Sequence, residues 1–145
     1  MRYSEVDLQC EDIMWFGVDA NGYIAAFTSA GCGNVPEFVC KSREQTEMLE
    51  SFFMGDLPHI SEYTLEIGTD NGDLAEDACS LARKGIFSFD VSFDNEHMDD
   101  YVRIAVPHNP LHVDSLPEKT KQVLVSHRLS FNAANEKNVK VAHAY

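Results

Sequence analysis

The sequence predicts an α+β domain: an antiparallel β-sheet built from two hairpins, with about three helices packed mainly on one face. Three observations carry that expectation. Apolar runs of strand length come in two pairs, each joined by a polar connection. Segments with helix-capping chemistry lie between and after them rather than alternating strictly with single strands. The composition is globular: 145 residues, 44% hydrophobic and 24% charged, enough for one domain over residues 1–145 that buries about two-thirds of its surface without disulfide or metal.

The first pair of runs is Ile13 to Val18 and Tyr23 to Thr28, separated by Asp19-Ala20-Asn21-Gly22. Asn-Gly between apolar runs is the signature of a type I′ hairpin turn, which needs positive φ at both central residues. Ser29-Ala30-Gly31-Cys32-Gly33 then breaks regular structure. Asn34-Val35-Pro36-Glu37 offers a cap, a first-turn proline and an acid, predicting a helix from Pro36 to Met54 with Phe38, Val39, Leu49, Phe52 and Phe53 on its buried side. Gly55 to Pro58 ends it, and Tyr63 to Ile67 alternates like a short edge strand. Asp73-Leu74-Ala75-Glu76 has capping-box spacing and opens a second helix to Lys84, stopped by Gly85.

Ile86 to Phe93 and Tyr101 to Val106 form the second pair of strands, with Phe87, Phe89, Val91 and Phe93 on one side. Asp94 to Asp100 joins them as a polar loop. Pro107 and Pro110 force an extended crossing, Ser115-Leu116-Pro117-Glu118 starts a third helix to His127, and Asn138 to His143 supplies a last short strand or a frayed tail.

Charge narrows the partners. There are 24 acidic and 11 basic residues, a formal net charge of −13. Such a surface repels phosphate backbones and anionic lipid, so neither nucleic acid nor membrane is an expected partner. The opening decapeptide lacks the apolar core of a signal peptide, and Cys10, Cys32, Cys40 and Cys79 show no Cys-x-x-Cys pair; reduced thiols in the cytoplasm are expected.

No reaction is written in the motifs. Gly31-Cys32-Gly33 lacks the spacing of a dinucleotide loop or a P-loop, and Cys32 has no local histidine partner. His108 and His112 are four apart, but Pro107 and Pro110 remove the helix that would align them. Asp94, Glu96, Asp99 and Asp100 crowd the second hairpin loop, and Asp70, Asp73, Glu76 and Asp77 crowd the entry to the second helix, without the spacing of a calcium loop. No cofactor, metal or catalytic residue is therefore predicted. Clustered loop acids suit a basic protein surface better, and Asp94, Glu96, Asp99 and Asp100 are the expected contact residues. Trp15, the single tryptophan, joins them as an aromatic anchor if it rather than Phe16 faces outward.

The segment Asp12-Ile13-x-Trp15-Phe16-x-Val18-Asp19-x-Asn21-Gly22-x-Ile24-Ala25-x-Phe27-Thr28-x-x-Gly31-x-Gly33-x-Val35-Pro36 resembles the opening of small uncharacterised bacterial proteins. Ala82-Arg83-Lys84-Gly85-Ile86-Phe87-Ser88-Phe89-Asp90 and Pro107-x-x-Pro110-Leu111-x-x-x-x-Leu116-Pro117 are similar to the same group, over a third of the chain in all. Some of those proteins are similar to immunity proteins encoded beside polymorphic toxins. The resemblance implies a non-enzymatic binding protein that neutralises a basic toxin. Two other classes stay open at this point: a small-ligand binder or cysteine-dependent enzyme using the Gly31-Cys32-Gly33 loop, and a subunit of a homo-oligomer.

Overall fold

The computed structural model describes residues 1–66, 73–91 and 99–145. Its elements run α1 (Glu5–Cys10), β1 (Met14–Val18), β2 (Ile24–Thr28), α2 (Glu37–Cys40), α3 (Arg43–Phe53), β3 (Tyr63–Leu65), α4 (Asp73–Arg83), β4 (Phe87–Val91), β5 (Asp100–Pro107), a 3-10 turn (Val113–Ser115), α5 (Glu118–Leu124) and β6 (Asn138–Lys140). The fold is the predicted α+β class. The strand order is β1-β2-β4-β5-β3, with β6 also on β5.

Both hairpins are antiparallel, but they meet through a parallel pair, β2 beside β4, with Phe27 opposite Phe89. The chain between those two strands carries α2, α3, β3 and α4, long enough to return it to the starting edge, which a parallel pair requires. The long strand β5 gives its far edge to β6 at one end and to β3 at the other. Among the described residues, no helix is long and apolar enough to cross a membrane.

Side-chain alternation divides the interior into two layers. Phe16, Val18, Ile24 and Ala26 point toward Leu49 and Phe53 of α3, Leu81 of α4 and Leu124 of α5. Trp15, Ala25, Phe27, Phe87, Phe89 and Val91 point the other way, under Leu8 of α1, Val39 and Cys40 of α2, and the C-terminal residues Phe131, Ala133 and Val141. The three longer helices thus share one face, as expected. The opposite face is roofed by short helices and extended chain, which explains why every residue of β4 is buried.

That second layer is aromatic. Trp15 stacks on Phe27 at 4.1 Å, Phe27 stacks on Phe89 at 5.1 Å, and Tyr101 stands edge-on to both Trp15 and Phe27. Cross-strand registry puts the three stacked rings in one row, where each burial contributes about 1.5–3 kcal/mol and each pair about 0.5–1.5 more.

Several local expectations change. The Asn21-Gly22 turn is not type I′, because only Gly22 has positive φ. Asp19 N–H donates to the Tyr23 carbonyl, leaving a three-residue loop, and the Asp19 carboxylate accepts from the amides of Asn21 and Tyr23 at 2.9 Å. That side chain selects the longer loop. The predicted helix from Pro36 to Met54 is two helices. Ser42 takes extended backbone and accepts from the Gln45 amide, capping α3 afresh. Asn34 caps nothing; its amide donates to the Val141 carbonyl. Helix α1 was not anticipated, although Ser4 and Asp7 form a full capping box.

Candidate functional site

The acids are unevenly placed along the chain. Residues 1–100 hold 21 of the 24 acids and 5 of the 11 basic residues. Several of the cations in the chain are already paired locally. Arg2 binds Glu37, Arg43 lies against Asp7, Glu11 and Glu47, Arg103 binds Glu66, and Lys121 pairs with Asp114. Of the predicted contact acids, Asp94 and Glu96 lie outside the described residues, as does Asp70. Asp99 and Asp100, at the start of β5, lie 3.4 Å and 2.9 Å from Lys140 Nζ on β6. Their charge is partly matched already.

A different acidic face is assembled by the fold at one end of the sheet. Asp12 precedes β1, and its carboxylate accepts from the Ala30 amide at 2.9 Å, just beyond β2. Glu47 and Glu50 lie one turn apart on the polar side of α3, Asp77 lies in α4, and Asp90 lies near the end of β4. Among the described residues, Asp12, Glu50, Asp77 and Asp90 have no ion-pair partner.

The sheet register brings them together: Met14, two residues after Asp12, pairs with Thr28, Thr28 pairs with Asp90, and Asp77 borders the same small cavity as Met14 and Thr28. Partial burial raises the Glu50 carboxyl, and the charges of Glu47, Asp12 and Asp77 push the same way. Burial pushes Asp90 up to about 6, helped by the charge of Asp12 and opposed by the Val91 amide and the Thr28 hydroxyl. Asp90 is only 6% exposed. It is a carboxylate in the sheet with no ion-pair partner among the described residues.

The cavity alongside, bordered by Met14, Thr28, Asp77 and Ser88, has a volume of about 20 Å³. That holds one water-sized group and no organic substrate. Among the described residues, no trio of His, Cys, Asp or Glu is placed to hold a metal ion. The arrangement suits a charged contact surface, with Asp90 as a buried source of field beneath exposed Glu47, Glu50 and Asp77.

The remaining candidates occupy structural positions. Trp15 is corrected: it is wholly buried, stacked on Phe27, with its indole N–H directed at the Tyr101 hydroxyl at 3.4 Å. Phe16 is buried on the other face against Phe53. Both faces of the sheet are covered, so neither neighbour can anchor a partner. In the glycine loop, the amides of Cys32 and Gly33 donate to the Ser29 carbonyl and that of Ala30 to Asp12. Those donors are occupied and offer no anion cradle. Gly33 lies so close to β4 and β5 that a Cβ would sit 2.7 Å from the Tyr101 hydroxyl and 2.9 Å from Val91. Cys32 is exposed. His108 meets the Thr64 hydroxyl, while His112 lies against the Asn21 carbonyl and caps the 3-10 turn.

The i,i+3 pair Glu47 and Glu50 was readable as a charged helix face. Nothing in the sequence says that Asp12, Asp77 and Asp90 meet it, because only the parallel β2–β4 pairing and the packing of α3 on β1 and of α4 on β4 bring those segments together. Comparison of the chain with known protein families, with curated proteins and with solved structures finds no match.

Proposed function

We propose that this chain is a non-enzymatic acidic bacterial binding protein, an immunity protein that neutralises a basic toxin by direct contact. The observation that carries the reading is the convergence of Asp12, Glu50, Asp77 and Asp90 without a matching cation among the described residues. Like charges held together cost stability, and a basic partner recovers that cost on binding. A nuclease toxin is a fitting target, since its substrate cleft must be positive and an acidic inhibitor can fill it in place of phosphates. Asp99 and Asp100, with Asp94 and Glu96, form a second acidic contact in this reading.

Stopped-flow association with the cognate toxin tests it. Electrostatic steering predicts a fast association rate that falls by about tenfold or more between low and high salt, with the dissociation rate changing much less. An association rate independent of salt contradicts the reading.

A further inference from the structure

A groove on the side of the helical layer is lined by Phe52 at the end of α3, Leu57 and Ile60 in the following segment, Lys84, and Leu111 and Leu116 before α5. Its volume is about 220 Å³. Two backbone bonds fix its walls to the turn that ends α4. Ile60 N–H donates to the Arg83 carbonyl at 2.8 Å, and Leu111 N–H donates to the Gly85 carbonyl at 2.8 Å. Gly85 has a φ of +89°, and a Cβ there would lie 2.8 Å from the Leu111 nitrogen, so the turn and the wall are built together.

Lys84 is the unusual member. It is 5% exposed, and its ammonium donates to the carbonyls of Phe53 at 2.8 Å and Gly55 at 2.9 Å. An ammonium has three donors, and the third meets no protein acceptor among the described residues. The carbonyl end of α3 supplies about half a negative charge, which leaves the cation half-compensated. In a chain with 24 acids, none of the described carboxylates lies within ion-pair distance of it. Asp56 acts only as a more distant charge, and burial holds the Lys84 amine below its ordinary range.

We propose that this groove binds a small monocarboxylic acid with an apolar tail, its carboxylate on the free N–H of Lys84 and its tail against Ile60, Leu111 and Leu116. Each feature selects part of that chemistry. The walls are hydrocarbon, which rejects sugars and nucleotides. The lining includes one cation, which takes one carboxylate. The volume sets the size: a cavity of about 150 Å³ accepts benzene, so this one accepts about nine non-hydrogen atoms. A free acid is favoured over a protein chain terminus because that space ends at the size of a six- or seven-carbon acid. The inference is independent of the acidic face.

The test compares hexanoate with hexan-1-ol, following the methyl signals of Ile60, Leu111 and Leu116 by NMR. Hexanoate is expected to shift those signals and to bind at least about tenfold more tightly than the alcohol, the difference expected for one charge-assisted hydrogen bond. Lys84→Met should remove that preference while leaving hexanol binding in place. Should that variant not fold, Ser115→Glu, at an exposed residue that also lines the groove, places a like charge at the rim and should weaken hexanoate binding while leaving hexanol binding in place. Equal binding of acid and alcohol, or no shift of these methyls by hexanoate, would overturn the proposal and leave Lys84 as a cap on α3.

Discussion

Replacing Asp90 by asparagine should stabilise the protein. The carboxyl is buried in β4 with a pKa of about 6 against an ordinary 3.8. The folded state therefore holds the proton more tightly than the unfolded chain. Ionised Asp90 opposes folding by the full difference above the folded pKa, about 3 kcal/mol at pH 7.5. The penalty fades as pH falls through 6, is about 1 kcal/mol at pH 4.5, and vanishes below the unfolded value. Asn keeps the shape and the oxygen that accepts from the Val91 amide at 2.9 Å. Local relaxation reduces the observable gain at pH 7.5 to about 2 kcal/mol. Urea unfolding of both proteins at the two pH values measures it. Asp90→Asn should be more stable at pH 7.5, with a smaller advantage at pH 4.5, and should bind the partner more weakly. A variant that is less stable at pH 7.5, or whose gain is the same at both pH values, refutes the reasoning about buried charge.

His127 is buried on Phe38, with Nδ1 3.0 Å from the Phe16 carbonyl oxygen and Nε2 without a partner among the described residues. Burial lowers its pKa below 6.5, so the unfolded chain takes the proton first and stability falls below about pH 6.5, by up to about 1.4 kcal/mol per pH unit. The stability difference between the wild type and non-titrating His127→Asn should shrink over that range in a pH series of urea midpoints, and a constant difference contradicts this. Gly33→Ala forces a methyl against Tyr101 and Val91 and should lower stability by about 1–3 kcal/mol, read by thermal unfolding. An unchanged midpoint would show that β5 gives way freely. Arg103 is 7% exposed and binds both Glu66 and the Ala133 carbonyl. Arg103→Met should cost about 3–5 kcal/mol, with Glu66→Leu recovering part of it in the double variant, because an unpaired acid is worse than none. Additive effects in urea unfolding would contradict the pairing.

What could be read in advance was local. Both hairpins follow from apolar runs and polar connections, and α4 follows from the Ala78, Leu81 and Ala82 stripe ended by Gly85. The break at Ser42 was hidden because Ser is acceptable within a helix and only its extended backbone makes it a cap. The side on which Trp15 would be exposed could not be chosen, since alternation fixes opposite sides but not what covers them. Here the N-terminal helices and residues 131–141 supply a roof of mostly extended chain, which carries no periodic signal. The acidic face was illegible for a related reason. Runs such as Asp94 to Asp100 draw attention because they are contiguous, whereas Asp12, Glu50, Asp77 and Asp90 lie on four elements or their flanks and meet only through sheet order.

The central claim is that this assembled face, and not overall acidity, selects a basic partner. The most direct measurement is capture from the native host at low salt by the wild type and by two charge-reversed variants, with bound protein quantified by mass spectrometry. One variant carries Glu47→Lys, Glu50→Lys and Asp77→Lys; the other carries Asp99→Lys and Asp100→Lys, a smaller change on residues already facing Lys140. The account predicts a single basic protein at near-equal stoichiometry with the wild type, released by high salt, lost with the first variant and weakened but retained with the second. Equal retention by the wild type and the first variant, or a partner held unchanged in high salt, contradicts it.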